Sequence, residues 1–196
     1  MIAVVTSSSE NTPWAKHTIQ NKAEYCRKHG YTLIARNLPY SQAVKDFNFL
    51  SMLLFSFETI WTLDADAIIT NTDIKIEEID IANGMNVCEE GIRADCRLNC
   101  GSVIWRGLGA ISMIGLIENY KNQWKDNPFV WQSFINNIVG IPLVMPLLKI
   151  HSIGTFNSCH HGQINNWKPG HFVYHPCGGI NRTEMCLKIL GEIKQC

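Results

Sequence analysis

The stretch Trp61-Thr-Leu-Asp-Ala-Asp-Ala-Ile-Ile-Thr-Asn71 constrains this chain more than any other. Thr59 to Leu63 reads as a short apolar strand, and it runs into two acids, Asp64 and Asp66, with only Ala65 between them. In extended backbone, residues two apart point the same way. Two carboxylates on one side repel each other unless a cation lies between them. Hard divalent ions take oxygen ligands of this kind, and Mg²⁺ shares them with substrate phosphates. Asp is also a common turn residue, so Asp-x-Asp alone says little. Here apolar runs stand on both sides of it, with Ala67-Ile68-Ile69 following, which an idle surface turn does not require.

The segments before this element read as a nucleotide-binding half. Ile2 to Val5 has the composition of a buried strand, and Thr6-Ser-Ser-Ser9 forms a polar loop at its carboxyl end. Ligands of open α/β sheets lie outside the carboxyl ends of strands. The hydroxyls of Thr6 and Ser7 therefore either meet a nucleoside or solvate a loop. Thr12 as N-cap and Pro13 at the first helical position predict a helix that stops at Gly30. Ile19, Ala23 and Cys26 share a face of it, and Arg27, Lys28 and His29 suit its negative end. Thr32 to Ala35 reads as a second strand and Ser41 to Phe57 as a buried helix. Strand, helix, strand, helix, strand predicts a βαβαβ unit with right-handed crossovers.

The expected architecture is a single α/β domain over residues 1–196, of GT-A or Rossmann-like type. It has a mostly parallel central sheet with helices on both faces. Residues 1–71 make the nucleotide-binding half. Residues 72–196 make the acceptor-side half and a final helix through Leu187, Leu190 and Ile193. Within this second half, Asn86 to Cys88 reads as strand and Glu89 to Arg97 as a charged loop. That loop holds Asp95, the best acid outside Asp-x-Asp. Asn99 to Arg106 reads as a loop entering a strand, with Gly101 where backbone can approach a ligand closely. Helices are predicted over Gly109 to Trp124 and Phe129 to Val139, the second carrying Gln132. Cys159 to Lys168 reads as a loop that could serve an acceptor.

Composition removes other classes. Length and a 46% hydrophobic content suit one globular domain. A formal net charge of +0 argues against broad binding to nucleic acid or anionic membrane. No run of apolar residues is long enough to predict a membrane span. Met1-Ile-Ala-Val-Val lacks the basic start of a signal peptide, so a cytoplasmic location is expected. The eight cysteines are then read as reduced thiols. A zinc site is the sharper alternative: Cys96-x-x-x-Cys100 and Cys159-His160-His161 hold ligand types, but there is no Cys-x-x-Cys pair.

Three separated motifs carry a resemblance. Trp61-x-Leu63-Asp64-Ala65-Asp66 is followed by an apolar run and Asn71. Asn21-Lys22-x-x-Tyr25-x-x-x-His29-Gly30-Tyr31 precedes it. Gly170-His-Phe-Val-Tyr-His175-Pro-Cys-Gly178 follows nearer the C-terminus. Together they resemble the nucleotide-sugar glycosyltransferases of GT-A fold, most closely the galactosyl- and xylosyltransferase family of fungi and plants. The resemblance implies a metal-dependent transferase that moves a sugar from a UDP-sugar donor to a saccharide acceptor, with retention of configuration. It implies Mn²⁺ or Mg²⁺ held by Asp66 and His175, with Asp64 reaching the ion through water or meeting the ribose. Thr6, Ser7, Asp64 and Ala65 are expected at the nucleoside, and Lys22 or Lys45 at the diphosphate. Asn99 and Gly101 are expected beside donor and acceptor, and Gly178 and Gly179 where the diphosphate enters. Gln132 matches the position near the anomeric carbon, with Asp95 as its rival. An inverting transferase on this fold, a nucleotidyl-transferring enzyme and a catalytically dead sugar-binding module are the alternatives. His171 stands where the family has Asp, and Pro176-Cys177 where it has Phe-Ala.

Overall fold

The computed structural model describes residues 1–9, 12–38, 46–93, 96–120, 130–139, 141–177 and 181–193. Lys45, Asp95, Gly178 and Gly179 lie outside the described residues. Ten strands and five α-helices are described. The central sheet contains β1 (Ile2–Ser8), β2 (Thr32–Asn37), β3 (Thr59–Leu63), β5 (Gly84–Arg93), β6 (Cys96–Arg106) and β7 (Leu148–His151). Their order is β2-β1-β3-β6-β5-β7. The β1–β2, β1–β3 and β5–β7 pairs are parallel, and only β6 runs against its neighbours. A smaller sheet of β4 (Ile68–Ile69), β8 (Ser158–His161), β9 (Ile164–Asn165) and β10 (Val173–Pro176) has the order β4-β10-β8-β9.

Alternation along the central strands divides the core into two layers, as a pleat requires. Val5, Ile60 and Trp105 face one way, onto α2 (Phe47–Leu53), α3 (Gly107–Tyr120) and α4 (Val130–Ile138). Val4, Trp61 and Ile104 face the other way, onto α1 (Ala15–His29) and the small sheet. A third cluster seats α5 (Arg182–Ile193) against Ile68 and Tyr174 through Cys186, Ile189 and Leu190. Helices on both faces of a mostly parallel sheet are the predicted architecture.

Several local expectations are corrected. The first helix begins at Ala15, with Trp14 as N-cap and no side-chain cap, while Thr12 and Pro13 lie in a preceding turn. Its end is as predicted: Gly30 takes φ 71° and donates its N–H to Cys26 O. The charged run Glu89 to Arg97 is not simply a loop. Glu89 to Arg93 belongs to β5, which pairs with β6 across two bulges. Asn99 and Gly101 lie inside β6 rather than in a loop before it. Cys159 to Lys168 begins as the β8–β9 hairpin. At the end of the 1–71 segment, β4 pairs with β10 of the small sheet. No helix among the described residues is long and apolar enough to cross a membrane.

Candidate metal centre and donor cleft

Asp64 and Asp66 sit where β3 ends and the chain turns toward β4. What holds that turn is the buried face of α1. Asn21 Nδ2 donates to Ile69 O at 2.9 Å, and its Oδ1 accepts from Ile69 N at 2.8 Å. Lys22 is fully buried and donates from Nζ to Ala67 O at 2.6 Å and Ala65 O at 3.1 Å. Tyr25 donates to Ile74 O at 2.9 Å, and His29 Nε2 lies 2.8 Å from Thr72 O. The α1 motif is thus a template for the backbone of residues 65–74. Each side chain satisfies carbonyls or an amide that would otherwise be buried without partners. Lys22 has its ammonium on these carbonyls, beneath the acidic turn, and it does not line the cleft. Burial lowers its pKa to about 8, against the opposing pull of Asp66 and Asp64.

His175 comes to this turn from β10. Its Nε2 stands 3.3 Å from Asp66 Oδ1 and 3.5 Å from Asp64 Oδ2. One ligand atom from each of the three residues lies within 4.8 Å of the other two. Asp66 and His175 are buried, whereas the Asp64 side chain is 38% exposed. Two carboxylate oxygens and an imidazole nitrogen are a donor set that suits Mn²⁺ or Mg²⁺. The electrostatics agree. Burial lifts the Asp64 carboxyl to about 6, with His175 opposing and Asp66 adding to the rise. Burial also works against the Asp66 carboxylate, but the His175 hydrogen bond and the charges of His175, Arg182 and Lys22 hold it below the usual range. Burial would lower the His175 pKa, yet Cys177 and Asp66 hold the ring well above its ordinary value. An acidic cluster that must recruit a proton in the dry interior is one that a cation can occupy instead.

Gly101 makes room for that ring. A Cβ built there would collide with the imidazole, and even the far nitrogen, Nε2, would stand only 2.8 Å away. The expected close approach at Gly101 is therefore made by His175. Asn99 supports the same place, accepting from Gly101 N at 2.9 Å and from Asn157 Nδ2 at 2.9 Å. Gln132 reaches over from α4, with Oε1 accepting from Cys100 N at 3.1 Å.

The cluster forms one wall of a cleft of about 610 Å³. Thr6, Ser7, Asp64, Ala65, Asn99 and Gln132 line it, as does His175. Thr6 Oγ1 is buried and finds no hydrogen-bond partner among the described residues. Three residues that the sequence reading did not select also line the cleft: Glu90, Cys177 and Arg182. Arg182, at the start of α5, places Nε 3.4 Å from Asp66 Oδ2. Glu90 is buried on β5, with Oε2 3.5 Å from Gln132 Nε2. The signal for Glu90 was strand continuity from Asn86-Val-Cys88, which turns one residue of a charged pair inward while Glu89 meets Arg97 outside.

The fold is of the GT-A type found in glycosyltransferases. Within it, residues 1–83 match the sequence profile of the galactosyl transferase GMA12/MNN10 family, in line with the resemblance carried by the α1 and Asp-x-Asp motifs. A comparison with curated proteins finds no match. Among solved structures, the chain is similar to a glycosyltransferase involved in the glycosylation of the major capsid of PBCV-1. The TM-score is 0.76 at 16% identity, covering 100% of this chain and 99% of that one. The glycosyltransferase GlyE of Streptococcus pneumoniae TIGR4 matches with TM-score 0.61 at 16% identity, over 98% of this chain and 63% of its own. The inositol-1-phosphate CTP transferase of T. maritima matches with TM-score 0.52 at 10% identity, over 99% and 96%. Likeness at these identities speaks for the fold alone, and the fold is shared with a nucleotidyltransferase. The sequence at the end of β1 weighs against that relative's chemistry, since Thr6 to Asn11 contains no glycine to cradle a phosphate.

Proposed function

We propose that the protein is a metal-dependent glycosyltransferase that moves a sugar from a UDP-sugar to a saccharide hydroxyl with retention of configuration. One observation carries the reading. Asp64, Asp66 and His175, brought together from the two sheets, place a hard-cation donor set on the wall of a cleft at the carboxyl ends of β1 and β3. Asp66 and Nε2 of His175 would hold Mn²⁺ or Mg²⁺, and the more exposed Asp64 would reach it through water or meet the ribose. The ion would supply Lewis-acid stabilisation of the departing diphosphate.

The remaining roles follow from position. Thr6, with a buried hydroxyl and no partner among the described residues, offers a contact to the nucleoside at the end of β1. Lys22 holds the Asp-x-Asp turn in shape from below, a positioning role rather than a diphosphate contact. Arg182 lines the cleft beside Asp66 and suits a diphosphate. Gln132 is neutral and a poor nucleophile, which disfavours a covalent intermediate on this side chain. It suits attack from the face the diphosphate leaves, with the amide steadying the developing positive charge. Asp95, Lys45, Gly178 and Gly179 keep the roles that the resemblance implies.

A panel of nucleotide sugars tests the whole reading. With Mn²⁺ present, hydrolysis or transfer from one UDP-sugar is expected, with loss of turnover in excess chelator and recovery when Mn²⁺ is restored. Asp66→Ala should lose metal binding and turnover together while the fold is retained. Full activity in chelator, or no cleavage of any donor, would sink it.

A further inference from the structure

We infer that Cys159, Cys177 and the Nδ1 atom of His175 form a second cation site, suited to a thiophilic divalent ion of the zinc class. The first observation is convergence. One ligand atom from each of these three residues lies within 4.8 Å of the others, and Cys177 Sγ stands 3.3 Å from His175 Nδ1. Zinc bonds of about 2.3 Å to sulfur and 2.0–2.1 Å to nitrogen put neighbouring tetrahedral ligands about 3.5–3.8 Å apart. The pair already in contact is within a few tenths of an ångström of that edge.

The second observation is how the fold builds the convergence. Parallel pairing of β8 with β10 sets Cys159 beside His175. After β10 the chain closes a tight turn, Cys177 N donating to His175 O at 3.0 Å, which folds the second sulfur back onto the ring. Asn99 donates to Cys177 Sγ at 3.5 Å, a contact that suits a thiolate. Cys159 and Cys177 are both free thiols. Three protein ligands, with His175 and Cys177 on the cleft wall, leave the fourth position to water or a ligand. The ligands differ from the spacing-based candidates: Cys159 takes part, but through His175 and Cys177 rather than through His160 and His161.

The third observation concerns the shared ring. A neutral imidazole has one lone pair to give, and its other nitrogen carries a proton. With an ion on Nε2, the Nδ1–H faces Cys177 Sγ. With an ion on Nδ1, the Nε2–H faces Asp66 Oδ1 at 3.3 Å, the carboxylate–histidine arrangement common behind zinc ligands. The thiol site and the carboxylate site therefore compete for one residue, and a zinc-class ion should exclude the hard cation. This exclusion rests on the proposed carboxylate site; the thiol site itself does not.

Cobalt(II) is the probe, added to fully reduced protein with no Mn²⁺. A thiolate-to-cobalt charge-transfer band in the near ultraviolet and the strong visible bands of four-coordinate cobalt are expected. Cys159→Ser and Cys177→Ala should each lose the charge-transfer band, with folding checked by circular dichroism, and Asp66→Asn should keep it. Absence of the band in reduced wild-type protein, or its survival in both cysteine variants, overturns the site. In a second arm, Mn²⁺ is followed by electron paramagnetic resonance. Zn²⁺ should release bound Mn²⁺ from wild type at a lower concentration than from Cys177→Ala, where it competes only at the carboxylate site. Simultaneous binding without displacement overturns the shared ring. A cobalt band in a protein that never binds Mn²⁺ would leave the thiol site standing and remove the carboxylate reading.

Discussion

The backbone of Gly101 and the imidazole of His175 are packed so closely that no side chain at position 101 can coexist with the ring where it stands. Gly101 lies on β6 and His175 on β10, so the contact fixes the imidazole of the small sheet's last strand against the central sheet. Gly101→Ala should displace the ring from Asp64 and Asp66. Overpacking of this kind costs about 1–3 kcal/mol of stability, and a loss of about tenfold or more in Mn²⁺ affinity is expected alongside. Denaturant melts and a Mn²⁺ titration measure the two effects; unchanged affinity would show that the ring is not a ligand.

Lys22 makes a pH-dependent contribution with a definite sign. Its pKa is 10.5 in the unfolded chain and about 8 when folded. Between those values the unfolded chain binds more protons, so this group makes stability rise with pH through the window. Below pH 8 the ammonium is charged in both states and its burial penalty, about 3 kcal/mol, is fully present. Cysteines and tyrosines titrate nearby, so the quantity to measure is the difference between wild type and Lys22→Met, without metal, from pH 7.5 upward. That difference should shift by a few kcal/mol in favour of wild type. A flat difference would mean that Lys22 is not charged below the acidic turn.

Gln132 and Glu90 give opposite predictions about stereochemistry. Gln132→Ala should lower kcat strongly and leave donor affinity nearly unchanged, the pattern of a transition-state contact. An α-linked donor should give an α-linked product by NMR. A β-linked product would move the reaction to a general base. Glu90, buried beside Gln132, would then be the first carboxylate to test with Glu90→Gln, and Asp95 the second.

Nucleotide selectivity is accessible without an acceptor. In the presence of Mn²⁺, UDP should raise the melting temperature by mass action more than GDP, CDP or ADP at the same concentration. Equal shifts from all four would refute uridine selectivity. Thr6→Val should reduce the UDP shift if the buried hydroxyl meets the nucleoside.

The sequence by itself determined what is local. The Asp-x-Asp pair marked the tight turn after β3, where Ala67 N donates to Asp64 O, and Gly30 ended α1, because both are decided within a few residues. The alternation of apolar strands with helices implied a mostly parallel sheet covered on both faces. The function of the α1 motif was not local. Asn21, Lys22 and Tyr25 act on backbone carbonyls and amides of residues 65–74, and no pattern in α1 says where those groups will be. Glu90 was hidden because a charged run resembles a loop until a partner strand selects which acid turns inward. Only the tertiary structure decided that one imidazole faces carboxylates on one side and thiols on the other. Cys159 reaches His175 through the parallel register of β8 and β10, and Cys177 through a turn at the end of β10. Asp64 and Asp66 reach it across two sheets that the bare backbone of Gly101 lets come close, a distance in sequence that no local preference can encode.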